Sequence, residues 1–430
     1  MTLLEELNFR GLIASTSGNL VELLSKPTTF YVGTDPTADS LHLGHLLAFT
    51  TAKLLQKYGH KPIVLLGGAT AFIGDPSFKS EERKLLSADT VAHNIDGIRA
   101  QVSKLLDFNS DEPNSAIMVN NYDWMKDFSF IDFAREVGKC ITVNYMMAKD
   151  SVKKRLERDG NGMSFTEFTY QLIQGNDFVE LYRKYDCKLQ IGGSDQFGNG
   201  MTGVELIHKI LKKDDACILT WPLVTKADGT KFGKTEKGNI WLDAEKTSPY
   251  EFYQFWVNQS DEDSERFIKL FTLIPIDEIN GMIEQHREAP SKRMLQRVLA
   301  EYMTCLIHSE EAYHKAAEAS EILFGNGTTE QLSTIDDSTL LSAMNGVAKV
   351  EVSKEDFVRG VSVIELAAMH DKVPSKSEAR KLIKSNGFSI NKAKVTNEKD
   401  TITESALING KYLLLQKGKK DYCLIVTKNS

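Results

Sequence analysis

Cysteine and long apolar runs are scarce in this 430-residue chain, and each scarcity argues against a class of protein. The five cysteines form no CxxC pair and have no histidine at zinc-ligand spacing, which argues against a disulfide framework or a structural zinc site. No uncharged run approaches the roughly 18 residues that a membrane-spanning helix requires. The N-terminus is acidic and lacks a signal-peptide pattern, so we expect a cytoplasmic protein with no membrane segment.

The net negative charge of the chain is absent from its C-terminal end, where basic residues are in excess. Residues 363–430 carry 13 Lys and Arg against 7 Asp and Glu, whereas the remainder carries 39 against 52. A basic terminal module in an acidic protein can bind nucleic acid locally. Charge alone leaves open a second interpretation, in which this surface is merely solvated. The length itself allows two or three domains.

The first part of the chain has the pattern of a parallel sheet. Residues 29–32 are β-branched and aromatic, and Asp39 or Ser40 can cap a following leucine-rich helix. Residues 62–68 form a continuous apolar run, as in a strand that is buried on both faces. This strand–helix–strand order predicts a βαβ unit with a right-handed crossover. Another strand at 188–191 leads into a Gly-Gly-Ser-Asp turn and a helix.

The residue pattern changes after residue 247 and again after residue 324. Residues 248–324 have helical patterns, and the stretch after 325 is rich in Gly, Ser, Thr and acidic residues without sustained periodicity. A basic helix near 377–384 and strands within 411–426 follow. We therefore predict the α/β fold class: a Rossmann-type parallel-sheet domain (1–246), an α-helical domain (247–324), a linker (325–360) and a small α+β module (361–430).

Two short segments carry most of the chemistry. His42-Leu43-Gly44-His45 places two imidazoles at a helix start, where free N–H groups and the helix dipole favour an anion. The imidazole of His42 can donate to a phosphoryl oxygen, and Gly44 allows a nucleotide to approach the backbone. A histidine on an apolar helix is more often structural when it stands alone.

The second segment is a lysine-rich loop. Residues 226–237 contain four lysines, at 226, 231, 234 and 237, with a turn before Lys231 and a glycine joint before Lys234. Such a loop can close over a polyphosphate and open again. Displacement of pyrophosphate from ATP requires alignment and cations rather than a covalent catalyst. The alternative interpretation is a solvated lysine loop.

Two further stretches indicate a small polar ligand. Residues 67–76 are glycine-rich and follow the buried strand, where α/β sheets bind ligands; Asp75 there could hold an amino group. Lys79 and Arg83 follow and either reach phosphate or are solvated. A capping box at Ser164 defines the start of a helix. A phenol, a carboxamide and a carboxylate share one face of this helix, namely Tyr170, Gln174 and Asp177. This face either binds the ligand or is exposed to solvent.

Taken together and in this order, the two short segments resemble the HIGH and KMSKS signatures of class I aminoacyl-tRNA synthetases. Residues 31–45 look like the opening signature of the bacterial tyrosyl-tRNA synthetase family. Its other blocks are similar, in order, to residues 67–76, 164–170, 189–196, 223–235 and 246–256. The C-terminal unit resembles the small RNA-binding module shared with a ribosomal small-subunit protein and some pseudouridine synthases. This resemblance covers essentially the whole chain and is weakest in the predicted linker.

The resemblance implies an enzyme that activates L-tyrosine with ATP and Mg²⁺ and transfers it to tRNA(Tyr). It also implies a homodimer and an anticodon-binding role for residues 247–324. The phenolic hydroxyl of the substrate would be bound by Tyr31 and Asp177, and its α-ammonium by Tyr170, Gln174 and Asp75. The nucleotide and aminoacyl path would be lined by Gly33, Asp35, Gly44, Gly193, Asp195 and Gln190. Catalytic contacts to polyphosphate would come from Thr37, His42, His45, Lys231 and Lys234, with Lys79 and Arg83 closing over it.

The chain departs from the family pattern at a few positions. The loop reads KFGKT rather than KMSKS, but both lysines remain. Asn176 and Phe197 stand where relatives more often have Tyr and Trp, which affects packing near the pocket rather than the chemistry.

Three other functions remain open at this point. A tryptophan-specific synthetase shares both signatures but would not need the Tyr31 and Asp177 pair, and it normally lacks the C-terminal module. A synthetase-derived RNA-binding protein without catalysis would not need His42, His45, Lys231 and Lys234. A nucleotidyltransferase acting on a small acid would leave the helical and basic regions without a purpose.

Overall fold

The computed structural model describes residues 1–77, 85–156, 162–235, 238–325, 327–418 and 421–428. The predicted phosphate contacts Lys79 and Arg83, and the loop residue Lys237, lie outside these ranges. Two compact units make up the chain. Unit 1 comprises residues 1–247 and 256–307, and unit 2 comprises residues 248–255 and 308–430. None of the described helices has the length and the hydropathy needed to cross a membrane.

Unit 1 is built on a six-stranded sheet with the order β1-β6-β5-β2-β3-β4, and all neighbours are parallel except β1 and β6. The predicted parallel sheet is thereby confirmed. Its strands are β1 (Ser15–Ser17), β2 (Thr29–Thr34), β3 (Lys61–Leu66), β4 (Ile117–Asn120), β5 (Cys187–Gly193) and β6 (Cys217–Trp221). A short hairpin follows, with β7 (Lys234–Thr235) and β8 (Gly238–Asn239).

Helices occur along the whole sequence of unit 1. The first ten are α1 (Leu3–Arg10), α2 (Leu20–Leu23), α3 (Leu43–Lys57), α4 (Ala88–Leu105), α5 (Tyr122–Met125), α6 (Phe130–Glu136), α7 (Val143–Met147), α8 (Asp150–Leu156), α9 (Phe165–Tyr185) and α10 (Phe197–Leu206). After α11 (Pro249–Val257), which is divided between the units, come α12 (Asp261–Phe271), α13 (Ile276–Glu288) and α14 (Met294–Ile307). Helices α12 to α14 group with the sheet because α12 contacts α1 and α3.

The strand order identifies the edge of the sheet at which a ligand is expected to bind. From β2 the chain continues to β3 and β4 on one side, and β5 and β6 lie on the other side. The carboxyl ends of β2 and β5 therefore form a topological switch point, where open α/β sheets bind ligands. Tyr31 on β2 is paired with Gln190 on β5. Residues from these two strands thus face the same crevice end of the sheet.

Unit 2 is a smaller α+β assembly. Its elements after α11 are α15 (Glu310–Phe324), α16 (Thr329–Leu332), α17 (Asp337–Ala343), β9 (Ala348–Ser353), α18 (Lys354–Arg359), β10 (Val361–Ser362), α19 (Val363–Met369), α20 (Lys376–Lys384), β11 (Phe388–Ile390), β12 (Ala393–Lys394), β13 (Thr401–Ile402), β14 (Tyr412–Lys417) and β15 (Asp421–Lys428). The main sheet has the order β12-β11-β14-β15-β9 and encloses a core that includes Phe357, Phe388 and Leu413.

The segment predicted as a linker, residues 325–360, contains regular structure. Strand β9 pairs in parallel with β15, and Phe357 of α18 is fully buried in the core of unit 2. The prediction failed because this segment contains three short helices, and the side chains of the residues just before them, Thr328, Asp336 and Ser353, cap them. Capping residues have the same composition as loops, so a window rich in them looks unstructured in sequence.

Candidate active site

Two glycines lie near the carboxyl ends of β2 and β5. Gly33 is the one exposed position in the otherwise buried second half of β2, and a Cβ atom there would meet no atom within 4 Å. Gly193 ends β5, and a Cβ atom there would lie 2.5 Å from Oδ1 of Asp195. Both predicted glycines therefore lie where a ligand can approach the backbone, and Gly193 also accommodates its neighbouring carboxylate.

A buried phenol on β2 and a buried carboxyl group on α9 lie close enough to interact electrostatically. Tyr31 is 1% exposed, and among the described residues its hydroxyl has no hydrogen-bond partner. Asp177, also 1% exposed, accepts hydrogen bonds from Asn121 Nδ2 (3.0 Å) and Trp124 Nε1 (2.9 Å). Burial raises the pKa of Tyr31 well above its usual value, and the charge of Asp177 adds to this effect. A ligand hydroxyl can donate to Asp177 and accept from Tyr31, which would satisfy both groups.

The carboxyl group of Asp177 has an unusual proton affinity. Burial raises its pKa to about 7, although the hydrogen bonds from Asn121 and Trp124 act in the opposite direction. The solvent-face interpretation of this helix stripe is therefore wrong, since Tyr170 and Asp177 are both buried. A carboxyl group with such a perturbed pKa in a crevice is typical of a functional site.

Sequence reasoning missed Asn121 and Trp124. Asn121 is fully buried, donates to Thr70 Oγ1 (3.1 Å) and accepts from the Ala69 N–H (2.7 Å), so it ties the loop after β3 to Asp177. Asn121 follows directly after β4, at the carboxyl end of a parallel strand, and Trp124 lies in the short helix α5 that comes next. The rule that placed Asp75 after β3 would have found them, had the weaker strand at residues 117–120 been recognised.

Acidic and amide groups line the next part of the crevice. The hydroxyl of Tyr170 donates to Asp35 Oδ2 (2.8 Å), and Thr70 Oγ1 donates to Asp35 Oδ1 (2.7 Å). Gln174 Nε2 donates to Gln196 Oε1 (3.2 Å), whose Nε2 donates to Asp75 Oδ2 (2.8 Å).

The electrostatics of this region favour a cation. Burial raises the pKa of Tyr170 well above its usual value, and the nearby charges of Asp35, Asp75 and Asp177 raise it further. Three carboxyl groups close enough to act on one hydroxyl produce a negative potential, which an ammonium group would neutralise. Gln190 is also buried, and its Oε1 atom has no hydrogen-bond partner among the described residues.

The HLGH segment caps a helix with a histidine. His42 is the N-cap residue of α3, and its Nδ1 accepts the N–H of Gly44 (3.0 Å); Asp39 and Ser40, which we predicted as caps, lie outside the helix. Because Nδ1 accepts, a neutral His42 carries its proton on Nε2 and can donate from there. His45 stacks on His42 with ring centroids 4.0 Å apart. Gly44 is required by the imidazole, because a Cβ atom would lie 2.8 Å from His42 Cε1.

The lysine loop lies directly against this segment, although the two are far apart in sequence. Gly233 O accepts from Ile240 N (2.9 Å), and Ile240 O accepts from Leu43 N (3.0 Å). Gly233 has a left-handed φ of 72°, and a Cβ atom there would lie 2.9 Å from Leu43 Cβ. Lys231 and Lys234 flank this contact and are exposed. The structure thus brings two exposed cations next to the helix start that His42 caps.

The remaining predicted residues lie at the edges of the crevice. Thr37 follows β2, and its N–H donates to the carbonyl of Asp35 (2.8 Å). Asn176 is buried with its amide 3.7 Å from Met125 Sδ, and Phe197 begins α10. Among the described residues, no group of three or more His, Cys, Asp or Glu is arranged to hold a metal ion.

Comparisons with known proteins agree with this geometry. The family model described as tRNA synthetases class I (W and Y) matches residues 24–325, and a model of the C-terminal domain of tyrosine–tRNA ligases matches residues 340–425. The chain therefore belongs to the class I tRNA synthetases of the tryptophan and tyrosine group. The family resemblance deduced from the sequence is confirmed.

Similar individual proteins within this class are named as tyrosine enzymes. The chain is 54% identical over 431 residues to a tyrosine–tRNA ligase of Bacteroides fragilis, and 54% identical over 433 residues to one of Porphyromonas gingivalis. Both alignments cover 100% of each chain. A solved structure of a C-terminally truncated Aspergillus nidulans mitochondrial tyrosyl-tRNA synthetase is similar, with a TM-score of 0.67 and 32% identity. That match covers 75% of this chain and 94% of the solved chain.

Proposed function

We propose that this chain is a tyrosine–tRNA ligase. It activates L-tyrosine with ATP to tyrosyl-adenylate, releases pyrophosphate and transfers tyrosine to the 3′ end of tRNA(Tyr). The specificity rests on a pair of buried groups: the Tyr31 hydroxyl, which has no hydrogen-bond partner in the described part of the chain, and the anchored Asp177 carboxyl group. A phenol both donates and accepts a hydrogen bond and so satisfies both groups, whereas the indole of tryptophan can only donate.

The same pair explains selectivity against phenylalanine. A site that hydrogen-bonds a substrate hydroxyl leaves its own buried polar groups unpaired when the analogue lacks that hydroxyl; tyrosine-specific synthetases are the usual example of this rule. Tyr170, Gln174 and Asp75 are proposed to hold the α-ammonium group within the negative potential described above. This leaves the substrate carboxylate facing the nucleotide side of the crevice, near Gly33, Asp35 and Gly193.

Adenylate formation is an in-line displacement at phosphorus. A carboxylate oxygen of tyrosine forms a bond to the α-phosphorus of ATP, and the bond from that phosphorus to the bridging oxygen of pyrophosphate breaks. We assign to Lys231, Lys234 and His42 Nε2 the stabilisation of negative charge that develops on the departing pyrophosphate. Thr37, His45, Gly44 and Asp195 complete the nucleotide contacts. Mg²⁺ accompanies ATP through its phosphates rather than through a protein cage.

Transfer requires a tRNA partner. A hydroxyl of the terminal ribose attacks the adenylate carbonyl, and AMP leaves. The exposed basic residues Arg380, Lys381 and Lys384 of α20 support a role of the C-terminal module in holding that tRNA. Five free cysteines agree with a reducing compartment, and we propose that the enzyme acts in the cytoplasm.

We also propose that two copies of the chain form a homodimer. Large apolar side chains are exposed in α6 to α9, namely Phe130, Ile131, Val143, Met147, Leu156 and Phe165. Such a concentration of exposed apolar residues is typical of a protein–protein interface. Sedimentation equilibrium should give a dimer that Phe130→Glu together with Phe165→Glu converts to a monomer. A monomeric parent chain at micromolar concentration would contradict this proposal.

Tyrosine-dependent exchange of labelled pyrophosphate into ATP tests the activation step. We expect exchange with tyrosine and Mg²⁺, and little with tryptophan, phenylalanine or no amino acid. Equal exchange with tryptophan would favour a tryptophan enzyme. The absence of exchange with every amino acid, together with retained tRNA binding, would favour a synthetase-derived RNA-binding protein.

A further inference from the structure

The lysine loop is attached at two points to helix α12, which none of the roles above includes. We use the name cation loop for residues 225–235, which are Thr225 and the lysine loop as far as Thr235. At its start, Asp263 Oδ1 accepts the N–H of Ala227 (2.9 Å), and Arg266 donates to the carbonyl of Thr225. Arg266 Nη2 also donates to Asp263 Oδ1 (3.0 Å), so one buried carboxylate and one guanidinium bind the same stretch of loop backbone.

Near its other end, the cation loop is attached by an aromatic ring. Phe232 lies between Lys231 and Gly233 and is 7% exposed. Its ring centroid is 4.8 Å from Phe267 and 4.8 Å from Phe271, both on α12, and 5.8 Å from Trp256. The two lysine side chains are exposed, whereas the backbone between them is held through this ring.

Helix α12 is itself fixed at both ends. Arg10 is 2% exposed and donates to the carbonyls of Lys269 (3.0 Å), Thr272 (2.7 Å) and Ile274 (2.9 Å), which closes the C-terminal end of the helix. At the N-terminal end, Asp261 Oδ1 accepts from Gln296 (2.6 Å) and lies 3.1 Å from His286 Nε2. A helix held in this way is a rigid support for a loop.

We propose that Asp263 and Phe232 are positioning residues that fix the cation loop on α12, so that Lys231 and Lys234 meet the departing pyrophosphate. The distribution of contacts separates two functions along the loop. Residues 228–231 and 234 are exposed and can reach a ligand, while residues at 225, 227 and 232 are held. Misplacing a catalytic group by about 1 Å can cost on the order of 100-fold in rate, which makes such anchoring significant for catalysis.

Asp263 also belongs to the cap of its own helix, and a test must separate that role from the anchor. Ser260 Oγ accepts the N–H of Asp263 (3.1 Å) and donates to Asp263 Oδ2 (3.0 Å). Ser260→Ala therefore removes the cap and keeps the bonds from Asp263 to Ala227 and Arg266. Asp263→Ala keeps the backbone N–H that Ser260 Oγ accepts but removes the bonds to Ala227 and Arg266. Asp263→Asn retains an acceptor for the Ala227 N–H.

The first measurement is independent of the proposed function. Limited trypsin digestion of the full-length protein, with mass spectrometry, gives the rate of cleavage after the exposed Lys231. We expect Asp263→Ala and Phe232→Ser to be cleaved at least about tenfold faster than the parent, because the loop loses a buried anchor. Ser260→Ala should be cleaved at the parent rate, and Asp263→Asn and Phe232→Leu should be intermediate. Equal rates for Ser260→Ala and Asp263→Ala would overturn the anchoring.

The second measurement rests on the proposed function and uses single-turnover adenylate formation. Asp263→Ala should lower the rate at saturating substrates by about 10- to 100-fold while the Kd for tyrosine, from equilibrium dialysis, changes less than about twofold. Asp263→Asn should restore most of the rate. A parent protein without tyrosine-dependent exchange would disprove the function and leave the cleavage result to judge the anchor. Faster cleavage with an unchanged rate, or a parallel loss of tyrosine affinity, would show that these residues are structural only.

Discussion

The indole nitrogen of Trp124 donates a 2.9 Å hydrogen bond to Oδ1 of Asp177, deep in the crevice of unit 1. Trp124 is 8% exposed and also lies under Lys184, whose Nζ is 4.8 Å from the ring centroid. Together with the bond from Asn121, this bond fixes the carboxyl group in one orientation. The specificity of the proposed site therefore depends on side chains behind those that would touch tyrosine.

Trp124→Phe should weaken tyrosine binding without unfolding the protein. The phenyl ring keeps most of the buried apolar volume but leaves Asp177 with one donor fewer, which should cost about 1–3 kcal/mol. Equilibrium dialysis with tyrosine and with phenylalanine should give a larger loss for tyrosine. The control is Phe128→Leu, which replaces an aromatic ring four residues further along that packs on Phe133 with centroids 5.8 Å apart. An equal loss for both amino acids would show that Trp124 acts on general packing only.

Asp177 should make the stability of the ligand-free protein depend on pH. Its pKa of about 7 lies above the ordinary value of 3.8, so the folded protein binds more protons than the unfolded chain between these values. The free energy of unfolding should therefore fall as pH rises from about 4 to 7, by about 2–4 kcal/mol at most. Urea unfolding at several pH values, for the parent and for Asp177→Asn, isolates this contribution, since any constant offset cancels. Parallel curves across this range would contradict the prediction.

The face of α9 illustrates what sequence can and cannot predict. The spacing of Tyr170, Gln174 and Asp177 placed them on one side of a helix, and the capping box at Ser164 fixed where that helix begins; both features are confirmed. Which side is buried depended on α10. Glycines allow the two helices to approach closely, because a Cβ atom on Gly175 or Gly203 would lie 2.9 Å from Leu206 or Phe178.

Contacts between distant segments were beyond sequence reasoning. The KFGKT pattern indicated two lysines and a glycine joint, but nothing local in it shows that Phe232 packs against α12. Likewise, the cap of α3 was assigned to Asp39 or Ser40 by residue preference, and His42 takes that position because its ring reaches back to the Gly44 N–H. Such outcomes depend on tertiary geometry that overrides local propensity.

His42 combines a structural and a proposed catalytic role, and two substitutions can separate them. Asparagine is a preferred N-cap residue, so His42→Asn should keep the helix cap while removing the Nε2–H donor. His42→Ala should lose both and be less stable by about 1 kcal/mol. Thermal unfolding and single-turnover adenylate formation should show that both variants are slow but only the alanine variant is destabilised. Full activity of His42→Asn would mean that the histidine serves the cap alone.

The contact between the two signature segments can be tested at Gly233. Gly233→Ala introduces a left-handed φ strain of about 1–2 kcal/mol and a contact with Leu43, next to His42. Gly229→Ala in the same loop carries a similar strain, with a φ of 81°, but meets no atom within 4 Å. We expect both variants to lose some stability, and only Gly233→Ala to slow adenylate formation by about tenfold or more. Equal rates in the two variants would show that the approach to Leu43 is unimportant for catalysis.

Removing the C-terminal module should separate activation from transfer, provided that the cut respects β9. A chain ending at Gly360 retains β9 without its partner β15 and exposes an unpaired strand edge, so we expect it to aggregate. A chain ending at Gly325 keeps the residues that match the synthetase family model. It should retain tyrosine-dependent exchange and lose most aminoacylation. Because the basic surface on α20 is absent, the salt dependence of tRNA binding should also be shallower than in the full chain. Filter binding and aminoacylation across a salt series measure this, and equal aminoacylation by both chains would show that the module does not hold the tRNA.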